Sequence, residues 1–127
     1  MRHWLAWAMP YTSWASTGRQ LNASGGRFNS SLISDGAPIV RPNASEQLDY
    51  EGELVAVIGK TARNVSVADG LDYVCGYSIF NDGSIRDYQF KSPQWTPGKN
   101  FDDTGAFGPS FVTADALPAG CEGLTLT

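Results

Sequence analysis

The stretch Leu48-Asp49-Tyr50-Glu51-Gly52-Glu53-Leu54-Val55-Ala56-Val57-Ile58 runs three acidic side chains directly into an uninterrupted apolar segment. Side chains alternate along a strand, so Glu51 and Glu53 fall on one face, and the apolar run that follows reads as a strand buried on both faces. The pattern predicts a strand over 48–58, ended by Gly59-Lys60. A second apolar segment, Tyr77-Ser78-Ile79-Phe80, leads into Asn81-Asp82-Gly83, a turn with Asp82 at the carboxyl end of the strand. Two carboxylates at i and i+2 of one strand, with a third from the end of another, offer only oxygen ligands. That donor set suits Mg²⁺, Mn²⁺ or Ca²⁺ better than zinc. Glu51, Glu53 and Asp82 are therefore the candidate metal ligands; their alternative is a solvent-facing edge strand.

Outward from this centre, Asp35-Gly36-Ala37-Pro38 marks a turn, Ile39-Val40 a short extended piece, and Arg41-Pro42 turns the backbone away from helix. Ser66 with Asp69 three residues on, and Val67, Leu71 and Val74 at helical spacing before Gly76, predict a short helix weakened by Gly70. Ser84 is expected to cap a helical turn carrying Arg86, Asp87 and Gln89, with Arg86 and Gln89 on one face. Pro93, Pro97-Gly98, Gly105 and Gly108-Pro109 then predict little regular structure before Phe111-Val112-Thr113. Leu124-Thr125-Leu126-Thr127 alternates like the first half of a strand, which hints at truncation. Residues 1–26, rich in Trp, Ser, Gly and Asn, show no sustained periodicity.

A chain of 127 residues with 42% hydrophobic content accommodates one domain with its own core. The formal charge of −4 excludes the basic surplus that phosphate backbones require, so no nucleic-acid partner is expected. No segment reaches the roughly 18 apolar residues of a membrane span. Cys75 and Cys121 form neither a disulfide framework nor a paired C-x-x-C motif, which fits a reducing, cytoplasmic setting. The sole histidine, His3, sits at the terminus, and no H-E-x-x-H, P-loop or G-x-S-x-G pattern occurs.

Four ordered blocks then carry a family resemblance: 49–60 (DYEGELVAVIGK), 72–77 (DYVCGY), 81–89 (NDGSIRDYQ), and 95–101 (WTPGKNF) with Phe107-Gly108-Pro109. Together they resemble the fumarylacetoacetate hydrolase family, from near Arg27 to about Pro118. The resemblance implies an α+β fold, predominantly β: part of a mixed β-sandwich roll with one or two short helices, the catalytic portion spanning 27–127. It implies that Glu51, Glu53 and Asp82 hold the divalent ion, that Lys99 is the active-site lysine, and that Arg86 and Gln89 line the substrate pocket. The implied activity is divalent-metal-dependent chemistry on 2-oxo or 1,3-diketo acids: carbon–carbon bond hydrolysis, or isomerase, decarboxylase or lyase reactions through a metal-stabilised enolate. Lys99 would add positive charge beside that enolate. A homodimer is expected, because an incomplete sheet exposes edges. Where the family's hydrolases carry a His and a Glu that activate water, this sequence places Trp14 and Thr17, neither a general base near neutral pH. That departure keeps a second reading open: a truncated, catalytically impaired metal-binding or dimerisation module.

Overall fold

The computed structural model describes residues 6–9 and 26–127. Trp14 and Thr17 lie outside the described residues; the first described element is strand β1 (Ala6–Met9). The chain continues through β2 (Leu32–Ser34), β3 (Leu48–Asp49), β4 (Gly52–Ile58), β5 (Val74–Asp82), β6 (Ser84–Ile85), α1 (Arg86–Gln89), α2 (Thr96–Lys99), β7 (Gly105–Phe107) and β8 (Val112–Thr113), with short 3₁₀ turns between. Strands dominate and both helices are single turns, the expected α+β class.

One sheet has the order β1-β4-β5-β7-β2, with β8 also pairing β5; β3 and β6 form a separate two-stranded ladder. All pairings are antiparallel except β2 with β7. β4 is thus the interior strand that its apolar run predicts, held between β1 and β5. Val55, Tyr77, Phe80 and Ile85 are the buried apolar side chains around which these elements meet. The predicted turn at 35–37 forms: Gly36 has a φ of +80°, a left-handed conformation that favours glycine, and Ala37 N–H donates to Ser34 O.

Several expectations need correction. The strand over 48–58 is two strands, because the chain leaves the small ladder after Asp49 and enters the large sheet at Gly52; Glu51 lies at the crossing. The helix over 66–76 is absent. The Ser66 and Asp69 hydrogen bonds do form, but only a 3₁₀ turn, Gly70–Tyr73, follows, and Val74 already belongs to β5. Val67 and Leu71 remain exposed, so no buried apolar stripe offsets the cost of Gly70. Ser84 caps no helix: it is a strand residue, and its hydroxyl goes elsewhere. Regular structure also appears where little was expected, at α2 and β7, and Leu124-Thr125-Leu126-Thr127 is irregular. Ile39-Val40 is irregular as well, whereas β2, just before it, pairs with β7.

Candidate metal centre

The β4–β5 register assembles the carboxylates. Glu53 stands opposite Phe80, and the same antiparallel count puts residue 51 opposite residue 82, where Asp82 N–H donates to Glu51 O at 2.9 Å. Glu51 and Glu53 are two apart on one side, and Phe80 and Asp82 two apart on the other, so all three acids share one face. Ligand oxygens of Glu51, Glu53 and Asp82 lie within 4.8 Å of one another.

Each acid has a different environment. Glu51 Oε1 accepts from Ser84 Oγ at 2.7 Å and from Arg86 Nη1 at 2.5 Å, and lies 2.9 Å from Lys99 Nζ. Asp82 Oδ2 lies 2.5 Å from Lys99 Nζ, while Oδ1 accepts from Arg27 Nε. Glu53 is buried, and its Oε2 has no hydrogen-bond partner. Burial first, then the charges of Asp82 and Glu51, push the Glu53 carboxyl up to about 7; Lys99 and Arg27 pull it partly back. A buried carboxylate oxygen without a donor is costly, and a cation at this face would satisfy it.

Lys99 is 4% exposed, a buried side chain rather than a solvated one. Pro at the start of α2 presets the turn, and Gly98 lets its backbone lie on α1: a Cβ at Gly98 would sit 2.5 Å from Gln89 N. That approach carries Lys99 to the acids. Arg86, at the start of α1, gives Nε and Nη2 to Asp49 Oδ2 at 2.9 and 2.7 Å, and Nη1 to Glu51 Oε1 and to the buried Gln89 Oε1 at 2.9 Å. Its acidic partners are therefore Asp49 and Glu51, while Asp87 accepts from Ser45 Oγ. The Arg86 hydrogen bonds hold Asp49 below its ordinary carboxylate range. Burial works against the charge of Arg86, but its bonds to Asp49 and the charge of Glu51 outweigh it and leave its pKa raised.

The structure thus brings together all six sequence-predicted residues, Glu51, Glu53, Asp82, Arg86, Gln89 and Lys99. It adds three that the sequence reading assigned no site role: Arg27, Asp49 and Ser84. Arg27 spends Nε on Asp82, Nη2 on Gly83 O at 2.5 Å and Nη1 on Thr104 Oγ1 at 3.1 Å. Its partners lie more than 50 residues away, so no local pattern could flag it. The local signal for Asp49 is its place beside Glu51 and Glu53 in the acidic run.

Four carboxylates, Asp49, Glu51, Glu53 and Asp82, face three cations, Arg27, Arg86 and Lys99. The all-oxygen donor set and the orphaned Glu53 Oε2 fit a hard divalent ion. A mixed sheet with such a carboxylate face defines the chain as a candidate metal-dependent protein of a β-rich α+β class.

Comparison with known proteins gives the family. Residues 19–127 match the family model described as fumarylacetoacetate hydrolase, C-terminal. The oxaloacetate tautomerase of Xenopus laevis, a mitochondrial protein, is 41% identical over 93 residues, covering 72% of this chain and 29% of the relative. The fumarylacetoacetate hydrolase from the psychrophile Exiguobacterium antarcticum superposes with a TM-score of 0.65 at 44% identity, covering 70% of this chain and 32% of that one. A fumarylpyruvate hydrolase from Pseudomonas aeruginosa, solved with Mn²⁺ and pyruvate, gives a TM-score of 0.56 at 29% identity, over 66% of this chain and 38% of that one. The chain belongs to the fumarylacetoacetate hydrolase family. It spans about a third of the length of the curated relatives it matches. Among the described residues no helix is long and apolar enough to cross a membrane.

Proposed function

We propose that residues 27–127 carry the metal-binding portion of a divalent-metal-dependent enzyme acting on small 2-oxo or 1,3-diketo acids. The observation that carries this reading is the unpartnered, buried Glu53 Oε2 within a carboxylate face that Lys99, Arg86 and Arg27 border. Glu51, Glu53 and Asp82 would hold Mg²⁺ or Mn²⁺; when bound, the ion supplies Lewis-acid polarisation to a chelating 2-oxo acid. The Pseudomonas aeruginosa neighbour, solved with Mn²⁺ and pyruvate, supports that pairing of ion and ligand class.

This chain's own residues then divide the work. Lys99, buried and fixed by two carboxylates, puts a positive charge where negative charge develops on the substrate oxygens. Four of the five Arg86 N–H groups have acceptors, two from Asp49, one from Glu51 and one from Gln89, which leaves one on Nη2 for a substrate carboxylate. Gln89 orients that guanidinium. The reaction class lies among hydrolysis, isomerisation or tautomerisation, decarboxylation and lysis; the tautomerase relative supports the second as firmly as the hydrolase neighbours support the first. The free thiols of Cys75 and Cys121 support a reducing compartment such as the cytoplasm. The exposed apolar residues Leu32, Ile79 and Phe111 support a homodimer.

Calorimetric titration with Mn²⁺ and Mg²⁺, followed by acylpyruvate cleavage and oxaloacetate tautomerisation assays of the wild type and Lys99→Met, tests the reading. Metal-dependent turnover that Lys99→Met abolishes is expected; absence of metal binding overturns it. Binding without turnover establishes the second reading, a metal-binding or dimerisation module, which Trp14 and Thr17 favour at the places where the resemblance puts the water-activating His and Glu.

A further inference from the structure

We propose that Arg27 is a positioning residue that restricts Asp82 to one metal-facing oxygen and so tunes the centre toward Mg²⁺ and Mn²⁺ over Ca²⁺. The inference rests on the metal-centre reading above and concerns a residue that reading leaves without a role. All three guanidinium nitrogens of Arg27 are engaged, on Asp82 Oδ1, Gly83 O and Thr104 Oγ1. Its side chain is only 9% exposed. The pocket is cut to its shape. A Cβ at Gly105 would lie 2.7 Å from Arg27 Nη1 and 2.9 Å from its Cζ, so only glycine leaves room there. The Phe80 ring lies under the guanidinium with its centroid 5.3 Å away. Thr104 is fully buried; its hydroxyl donates to Phe101 O at 2.7 Å, which turns a lone pair toward Nη1.

A guanidinium fixed at three points cannot follow Asp82 if the carboxylate rotates. Rotation that offered both oxygens to an ion would strip Oδ1 from Nε and leave a buried charged donor unpaired, a costly exchange. Asp82 would therefore contribute through Oδ2 alone, the oxygen whose partner within the chain is the flexible ammonium of Lys99 at 2.5 Å rather than a guanidinium fixed at three points. Ca²⁺ takes six to eight oxygens and commonly uses bidentate carboxylates, whereas Mg²⁺ demands a compact octahedron built from single oxygens and water. Glu51 is constrained in the same sense, its Oε1 being occupied by Ser84 and Arg86. A centre with pinned acids thus disfavours the larger ion.

The test is competition calorimetry with Mn²⁺ and Ca²⁺ on the wild type, Arg27→Met and Arg27→Lys. Loss of the Arg27 charge changes the affinity for both divalent ions alike, so the ratio of the two affinities isolates the geometric effect. Arg27→Met is expected to lower the Mn²⁺ preference by about tenfold, in the range typical of groups that orient metal ligands. Arg27→Lys, which keeps a donor for Oδ1, is expected to lie between Arg27→Met and the wild type. An unchanged ratio in folded Arg27→Met overturns the proposal. Should that variant not fold, the Mn²⁺-bound wild type decides by crystallography: one Asp82 oxygen on the ion with Oδ1 still on Arg27 upholds it, and a bidentate Asp82 overturns it. A wild type that binds neither ion overturns the metal-centre reading itself, and this inference with it.

Discussion

The two faces of the β4–β5 hairpin differ sharply. One carries Glu51, Glu53 and Asp82 and is enclosed by Arg27, Arg86, Lys99 and the buried Ile85. The other carries Gly52, Ile79 and Asn81 and floors an open groove of about 440 Å³, with Phe107, Pro109 and Leu126 along its walls. This open groove is on the face without the acids. On the first face acids and cations are paired within the chain while the buried Glu53 Oε2 is left without a partner; on the second, apolar side chains such as Ile79 stay exposed. The contrast teaches that an open groove is not by itself a sign of a ligand site. Ligand-binding character follows from convergent, unsatisfied charge rather than from empty volume.

The contrast breaks first at the ligands. Asp82→Asn and Glu51→Gln are each expected to weaken Mn²⁺ binding by more than the roughly 10–100-fold that loss of an orienting partner costs, read by calorimetry. Next comes the packing that closes the acidic face. Ile85→Ala should destabilise the chain by about 2–5 kcal/mol in a denaturant titration, while Val67→Ala, at an exposed position, should stay within about 0.5 kcal/mol.

The pH dependence of the metal-free protein sharpens the comparison. Glu53 rises from an ordinary carboxylate value of 4.5 when unfolded to about 7 when folded. Between those values the native state holds a proton that the unfolded state has released, so stability falls as pH rises from about 4.5 to 7 and is flat above. Glu53→Gln should remove that slope and raise the melting temperature of the metal-free chain above pH 7, while abolishing metal binding. The smallest effect belongs to the groove. Ile79→Lys is expected to leave Mn²⁺ affinity within about 0.5 kcal/mol, as for a surface substitution, and to reduce self-association in sedimentation velocity.

How much of this was legible beforehand depends on the distance over which each feature is set. The acid pair and the apolar run after it are local, and the i, i+2 rule placed Glu51 and Glu53 together without any tertiary knowledge. Asp82 could be proposed because it ends the next apolar strand, but its place opposite Glu51 is a matter of register, which the long connection between 59 and 73 does not encode. The change of sheet between Asp49 and Gly52 was hidden, since the acidic residues there alternate as smoothly as in one continuous strand. Helical spacing at Val67, Leu71 and Val74 misled because nothing packs on that face. α2 and β7 were obscured by their glycines, which serve close backbone approach at Gly98 and make room for Arg27 at Gly105.

Both passages of the chain between the large sheet and the small ladder occur at the acids, one through Glu51 and the other just after Asp82. An ion gripped there would therefore act as a rivet through two overlapping plates, reinforcing strand crossings already tied by the Asp82-to-Glu51 backbone bond, the Ser84 hydroxyl and Lys99. Amide hydrogen exchange would register this as slowed opening on either side of the seam, at Gly52 and Ser84 together, even in a variant that has lost turnover.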